Sequence, residues 1–186
     1  MFDIIPAILP KSVEDLLEKI NLLPAAITFF HMDVLEEDIW ASEISRDFEV
    51  HLMVEEPEKI MERWIERGAK RLSVHTAGNS LAKYREKLEI GLAVDLEKPL
   101  EEVFPFLDFV DFIHLMSTKE VGAQGRPFDP RIFDRIKEIR ATDGKIPISV
   151  DGGIDESNYK QVIEAGATRL IVGHAFKALW HSLTTK

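Results

Sequence analysis

Short apolar or β-branched runs alternate with charged, amphipathic stretches from one end of the chain to the other. The apolar runs predict strands over residues 3–9, 26–33, 49–54, 71–75, 90–95, 112–116, 147–151 and 169–172. The stretches between them predict helices over 13–22, 58–67, 81–87, 100–107, 130–141, 156–164 and 176–183, with a short one near 41–45. Eight repeats of strand then helix favour a closed parallel (β/α)8 TIM barrel over an open doubly wound sheet. The pairs Gly68-Ala69 and Gly166-Ala167 agree, since each sits where a helix must stop and turn into the next strand. At 186 residues the barrel has to use short loops. No linker or low-complexity stretch interrupts it, so residues 1–186 are expected to form one domain.

Composition narrows the chemistry. With 45% hydrophobic and 30% charged side chains the chain can build one substantial core. A net charge of −10 and no Lys/Arg cluster argue against a nucleic-acid partner, because a phosphate backbone demands a basic face. Without cysteine there are neither disulfides nor thiolate ligands, and any metal must be held by imidazole and carboxylate. The opening MFDIIPAILPKS lacks a charged n-region and a cleavage site, and no apolar run approaches the roughly 20 residues of a membrane span. No membrane partner is therefore expected, and the cytoplasm is the default compartment.

Three of the predicted strands carry ionisable groups where the apolar run ends. These are His31 and Asp33 in ITFFHMDV, His51 in FEVHLMVEEP and Asp151 in IPISVDGGI. In a barrel all strand C-termini converge on one face, and residues two apart on a strand point the same way, so His31 and Asp33 both enter the mouth. Two imidazoles and two carboxylates form a ligand set for one divalent metal, with Zn, Mn, Fe and Co all suitable. Two carboxylates flanking a polarised carbonyl could remove a proton from one face of a carbon and return one to the other, which is epimerisation. Each residue also has a structural reading: Asp33 could cap a helical turn, and a strand-end His could simply hold a loop. His114 should face inward, either pairing with a carboxylate or serving as a buried donor, and His75 could reach the pocket or be a satisfied core histidine.

At these positions the chain resembles the ribulose-phosphate 3-epimerase family. The matching pieces are PAIL at 6–9, HMDV at 31–34, HLMVEEP at 51–57, VHTAG at 74–78, GLAVD at 91–95, HLM at 114–116, VDGGI at 150–154 and VGHAF at 172–176, in the family's order. The resemblance implies that His31, Asp33, His51 and Asp151 bind one divalent metal ion (Zn, Mn, Fe or Co). It makes Asp33 and Asp151 the acid/base pair and places Met53 and Met116 beside the reacting carbons. The implied activity is interconversion of ribulose 5-phosphate and xylulose 5-phosphate, or of a related ketose phosphate, through an enediolate. The substrate phosphate would rest on backbone N–H groups of Gly152, Gly153 and Gly173 at the last two loops.

Departures from the family pattern lie around the substrate. Ala7 replaces a serine, the loop after Asp33 is cut short, and the sixth loop reads TKEVGAQGR, keeping Gly122 and Gly125 but not its Asn-Pro entry. His174 stands where the family has Ser, beside the phosphate position. A repurposed or catalytically degenerate phosphate- or metal-binding barrel is therefore the alternative. A lyase of the orotidine-decarboxylase type is less favoured: it needs Asp-x-Lys-x-x-Asp, and Leu35 stands at the lysine between Asp33 and Asp38. Trp40, Trp64, Phe104 and Trp180 could mark a homo-oligomer interface or pack on the barrel.

Overall fold

The computed structural model describes residues 2–185, so the first and last residues of the expected 1–186 domain lie outside the described residues. Eight parallel strands close into a barrel in chain order, with β1 hydrogen-bonded to both β2 and β8. They are β1 (Asp3–Ile8), β2 (Phe29–Val34), β3 (Asp47–Leu52), β4 (Arg71–Val74), β5 (Glu89–Val94), β6 (Phe112–Met116), β7 (Ile148–Asp151) and β8 (Arg169–Val172). Among the described residues the α-helices are α1 (Val13–Asn21), α2 (Glu58–Glu66), α3 (Ile132–Thr142), α4 (Tyr159–Ala165) and α5 (Phe176–Thr184). No helix of the described residues is long and apolar enough to cross a membrane.

Strand alternation sorts the side chains into two populations. Phe30, Met32 and Val34 of β2, and Phe48, Val50 and Leu52 of β3, point outward into one apolar cluster shared with the helices. Leu16 and Ile20 of α1, Met61 and Trp64 of α2, and Ile132, Ile136 and Ile139 of α3 meet them at helical spacing. The intervening positions turn inward, and several are polar yet buried: His31, Glu49, His51, Ser73, His114 and Ser149. Space inside the barrel is tight. A Cβ at Gly91 would stand 2.3 Å from Phe112 Cζ, so glycine at this point is what lets the Phe112 ring fill the interior.

The helical cover is uneven, which corrects three expectations. The helix expected near 41–45 is a run of turns, 81–87 is replaced by a 3-10 helix at Asn79–Tyr84, and 100–107 by 3-10 segments at Leu100–Glu102 and Phe104–Phe109. In the last case Pro105 supplies no backbone N–H, so an α-helical ladder cannot run through it. After β2, Trp40 takes the place of a helix: its ring lies 5.2 Å from Phe48 and 5.6 Å, edge-on, from Trp64, with the Arg67 guanidinium alongside. Trp64 is buried, and Trp40, Phe104 and Trp180 pack against the same core, which is the packing reading of these aromatics. The helix stops behave as expected, with Gly68 at φ +92° after α2 and Gly166 at φ +123° after α4.

Candidate functional site

Strand register assembles the polar cluster. Asp33 is paired with His51 across β2 and β3, and Met116 with Asp151 across β6 and β7. Asp33 Oδ1 lies 3.2 Å from His31 Nε2 and 3.5 Å from His51 Nδ1. Asp151 Oδ2, from the far side, lies 4.0 Å from His31 Nε2 and 3.9 Å from His51 Nδ1. All four residues singled out in the sequence thus meet at one end of the barrel. A fifth joins them: His114 Nε2 is 3.3 Å from Asp151 Oδ2, so of its two readings the carboxylate pairing is the one formed. One donor atom each from His31, His51, His114 and Asp151 falls within 4.8 Å of the others, a spacing a single cation can bridge.

Behind the imidazoles stand partners that orient them. His31 Nδ1 lies 2.8 Å from Glu49 Oε1, and His51 Nε2 lies 2.8 Å from His75 Nε2, whose other nitrogen is 3.1 Å from Asp95 Oδ1. His75 therefore reaches the site only through His51. Sequence reasoning missed Glu49, Arg71 and Asp95. Glu49 did carry a signal, a charged residue inside the buried run FEVHL and two before His51, hence on the same inward face. Asp38 is drawn away to Arg63 and Arg67 on the outer surface, which leaves it no part in a second carboxylate motif.

The electrostatics separate the two aspartates. Burial opposes charge on Asp33, but the hydrogen bond to His31 and the close approach of His51 outweigh it and hold the carboxyl well below the usual range. Burial and the adjacent Asp33 charge push Asp151 up to about 6. Burial works against a charged His31 as well, yet its hydrogen bonds to Asp33 and Glu49 raise it to about 10. His51 falls to about 4 through burial and repulsion from His114, and His114 falls to about 3 through burial and repulsion from His31.

The donor set fits a divalent cation on a feature of its own. His51 Nδ1 is buried without a hydrogen-bond partner, although it points among three other potential ligands. An orphaned imidazole nitrogen at that spot is costly unless something accepts its lone pair. Imidazole nitrogens with carboxylate oxygens suit Zn, Mn, Fe or Co.

A cavity of about 560 Å³ opens directly above. Asp33, Met53, Met116 and Asp151 line it, as do Gly122, Gly125, Gly152, Gly153, Gly173 and His174, so every substrate-side candidate borders one space. Gly152 and Gly153 have φ of +115° and +64°. A Cβ on Gly153 would come within 2.5 Å of the Phe128 backbone nitrogen, because the sixth loop packs directly on this turn. That loop is tied down on both sides: Ser117 Oγ donates to the Asp151 and Gly152 carbonyls, and Gln124 Nε2 donates to Ala7 O at 3.0 Å. The contacts of Ser117, Gln124 and Phe128 were not anticipated from sequence, since they depend on where the loop folds back.

Comparison with known proteins gives a consistent result. A model of the "Ribulose-phosphate 3 epimerase family" matches residues 3–177. The ribulose-phosphate 3-epimerase of Synechocystis sp. is 34% identical over 142 residues, covering 70% of this chain and 61% of that protein. That of Aquifex aeolicus is 31% identical over 139 residues, covering 69% and 62%. The chain thus spans about three-fifths of the length of the curated relatives it matches. Among solved structures, a chain of the tryptophan synthase a2b2 complex from Pyrococcus furiosus superposes with a TM-score of 0.67 at 13% identity, covering 94% of this chain and 90% of that one, a likeness of fold alone.

Proposed function

The chain belongs to the ribulose-phosphate 3-epimerase family, and from that membership we propose that it is a metal-dependent sugar-phosphate 3-epimerase interconverting ribulose 5-phosphate and xylulose 5-phosphate, or a closely related pair of ketose phosphates. The observation that carries the reading is the convergence of Asp33 and Asp151 on the same two imidazoles, His31 and His51, beneath one cavity. The closed barrel supports treating residues 1–186 as one domain.

Asp33 and Asp151 approach the cluster from strands on different sides of the barrel, the arrangement a two-base exchange of a carbon-bound proton needs. Asp33, kept ionised by His31 and His51, is suited to take the C3 proton. Asp151, reaching the cluster from β7, is placed to deliver a proton to the opposite face. In the reverse direction the two exchange roles. His31, His51, His114 and Asp151 bring one donor atom each within reach of a single cation, and we assign Asp33 to the same set because its Oδ1 stands 3.2 Å from His31 Nε2 and 3.5 Å from His51 Nδ1. When bound, a divalent ion there would stabilise the negative charge of the enediolate. Met53 and Met116 give the reacting carbons an apolar wall, and the amides of Gly152, Gly153 and Gly173 form the site we assign to the phosphate, with His174 at its edge.

The test is solvent exchange. Protein loaded with Zn, Mn, Fe or Co should wash deuterium from D2O into C3 of ribulose 5-phosphate, followed by NMR, with xylulose 5-phosphate accumulating. Absence of exchange with every metal would overturn the assignment.

A further inference from the structure

The two metal-facing imidazoles on β2 and β3 present different nitrogens to the cluster, and the groups behind them explain why. His51 directs Nδ1 inward and Nε2 back toward His75. His31 does the opposite, with Nε2 inward and Nδ1 2.8 Å from Glu49 Oε1. Glu49 is 3% exposed and is the register partner of His31 on one side and of Arg71 on the other. Its second oxygen lies 2.7 Å from Arg71 Nε. The Arg71 N–H is not aimed along that line, so the contact is a close ion pair without a formed hydrogen bond. The guanidinium is steadied in turn over the Phe29 ring at 4.3 Å. Three neighbouring strands thus carry a row His31–Glu49–Arg71 across the barrel interior.

A carboxylate can only accept a hydrogen bond, so Glu49 requires the proton of a neutral His31 to sit on Nδ1. The ring's lone pair is then on Nε2, which faces Asp33 and Asp151. We propose that Glu49, held by Arg71, is the positioning residue that locks His31 in its Nδ1–H tautomer and so commits the Nε2 lone pair to the cation. The inference rests on the metal-site reading given above. A carboxylate behind a ligating imidazole fixes the ring's orientation and makes its free nitrogen a stronger donor. Arg71 makes the arrangement tolerable, because a buried carboxylate beside a neutral imidazole with no other cation against it would be expelled or protonated.

Zinc-loaded protein with 15N-labelled histidine provides the direct readout. His31 should show a protonated Nδ1 and a zinc-shifted Nε2 without a proton; zinc on Nδ1, or a proton on Nε2, would overturn the proposal. Competition with a chelator should show that Glu49→Ala weakens zinc binding by about 10- to 100-fold, while Glu49→Gln, which keeps an acceptor oxygen, stays within about tenfold of the parent. A purely structural Glu49 would lower the melting temperature of Glu49→Ala and leave its zinc affinity at the parental value, and that result would also overturn the proposal. Should Glu49→Ala fail to fold with Arg71 left alone, Glu49→Ala/Arg71→Leu removes both charges and carries the same two readouts. Failure of the parent to bind zinc would bring down the metal site and this inference together. Parental zinc binding with an unchanged Glu49→Ala removes only the role of Glu49.

Discussion

Loading the site with zinc must expel protons, and the number follows from the environments of the ligands. In the metal-free protein His31 is raised to about 10 and carries a proton on the nitrogen that faces the cluster, while His51 and His114 lie at about 4 and about 3 and are neutral. Asp151, at about 6, is mostly ionised at neutral pH and mostly protonated one unit below its midpoint. A cation can reach His31 Nε2 only by displacing its proton, so about one proton should leave per zinc between roughly pH 7 and 9, rising toward two near pH 5. The sign is that protons compete with the cation, and affinity falls as pH falls. The slope is about tenfold in dissociation constant, or about 1.4 kcal/mol, per pH unit above the Asp151 midpoint, steepening toward about a hundredfold per unit below it. Isothermal calorimetry at one pH, in buffers of different ionisation enthalpy, gives the proton count as a slope. Tight zinc binding near neutral pH with no proton released would refute the reasoning, because it would mean that Asp33 and Glu49 do not hold His31 as a cation.

Other outcomes follow from single positions. Asp33→Asn and Asp151→Asn should each cut C3 proton exchange by at least about a hundredfold with the far-ultraviolet circular dichroism unchanged, and substantial activity in either would contradict the two-base scheme. Gly91→Ala forces a Cβ to within 2.3 Å of Phe112 Cζ. It should cost about 1–3 kcal/mol, a fall in melting temperature of roughly 2–12 °C that Phe112→Leu partly restores. Gly153→Ala drives a methyl against the Phe128 backbone and should raise KM for the sugar phosphate more than it lowers kcat. An unchanged KM would place the phosphate elsewhere.

How much of this could be read from the sequence depends on whether the information was local. The strands were legible because alternation and β-branching are local: residues 112–116 and 169–172 agree with β6 and β8 end to end. His31, Asp33, His51 and Asp151 were legible for a related reason, since once the fold is a parallel barrel every strand end shares one rim. The crossovers were not. The run LEEVFPFL has an amphipathic rhythm, but Pro105 and the closeness of β5 to β6 leave room only for 3-10 turns. Glu49 was visible as an odd charge in an apolar run, yet its meaning depends on its alignment with His31 and Arg71, which is a property of strand register between segments far apart in sequence. The same holds for Gln124, whose partner Ala7 lies 117 residues earlier in the chain.

The lopsided outer layer has a dynamic consequence. Strands β6, β7, β8 and β1 are each followed by an α-helix, whereas β4 and β5 are followed only by 3-10 segments, whose hydrogen-bond geometry is poorer. Local opening should therefore begin on that thinly clad arc, with backbone amides of β4 and β5 exchanging with solvent before those of β7 and β8. The glycine turns that follow β7 and β8 sit on the slow side, on the half that stays shut longest.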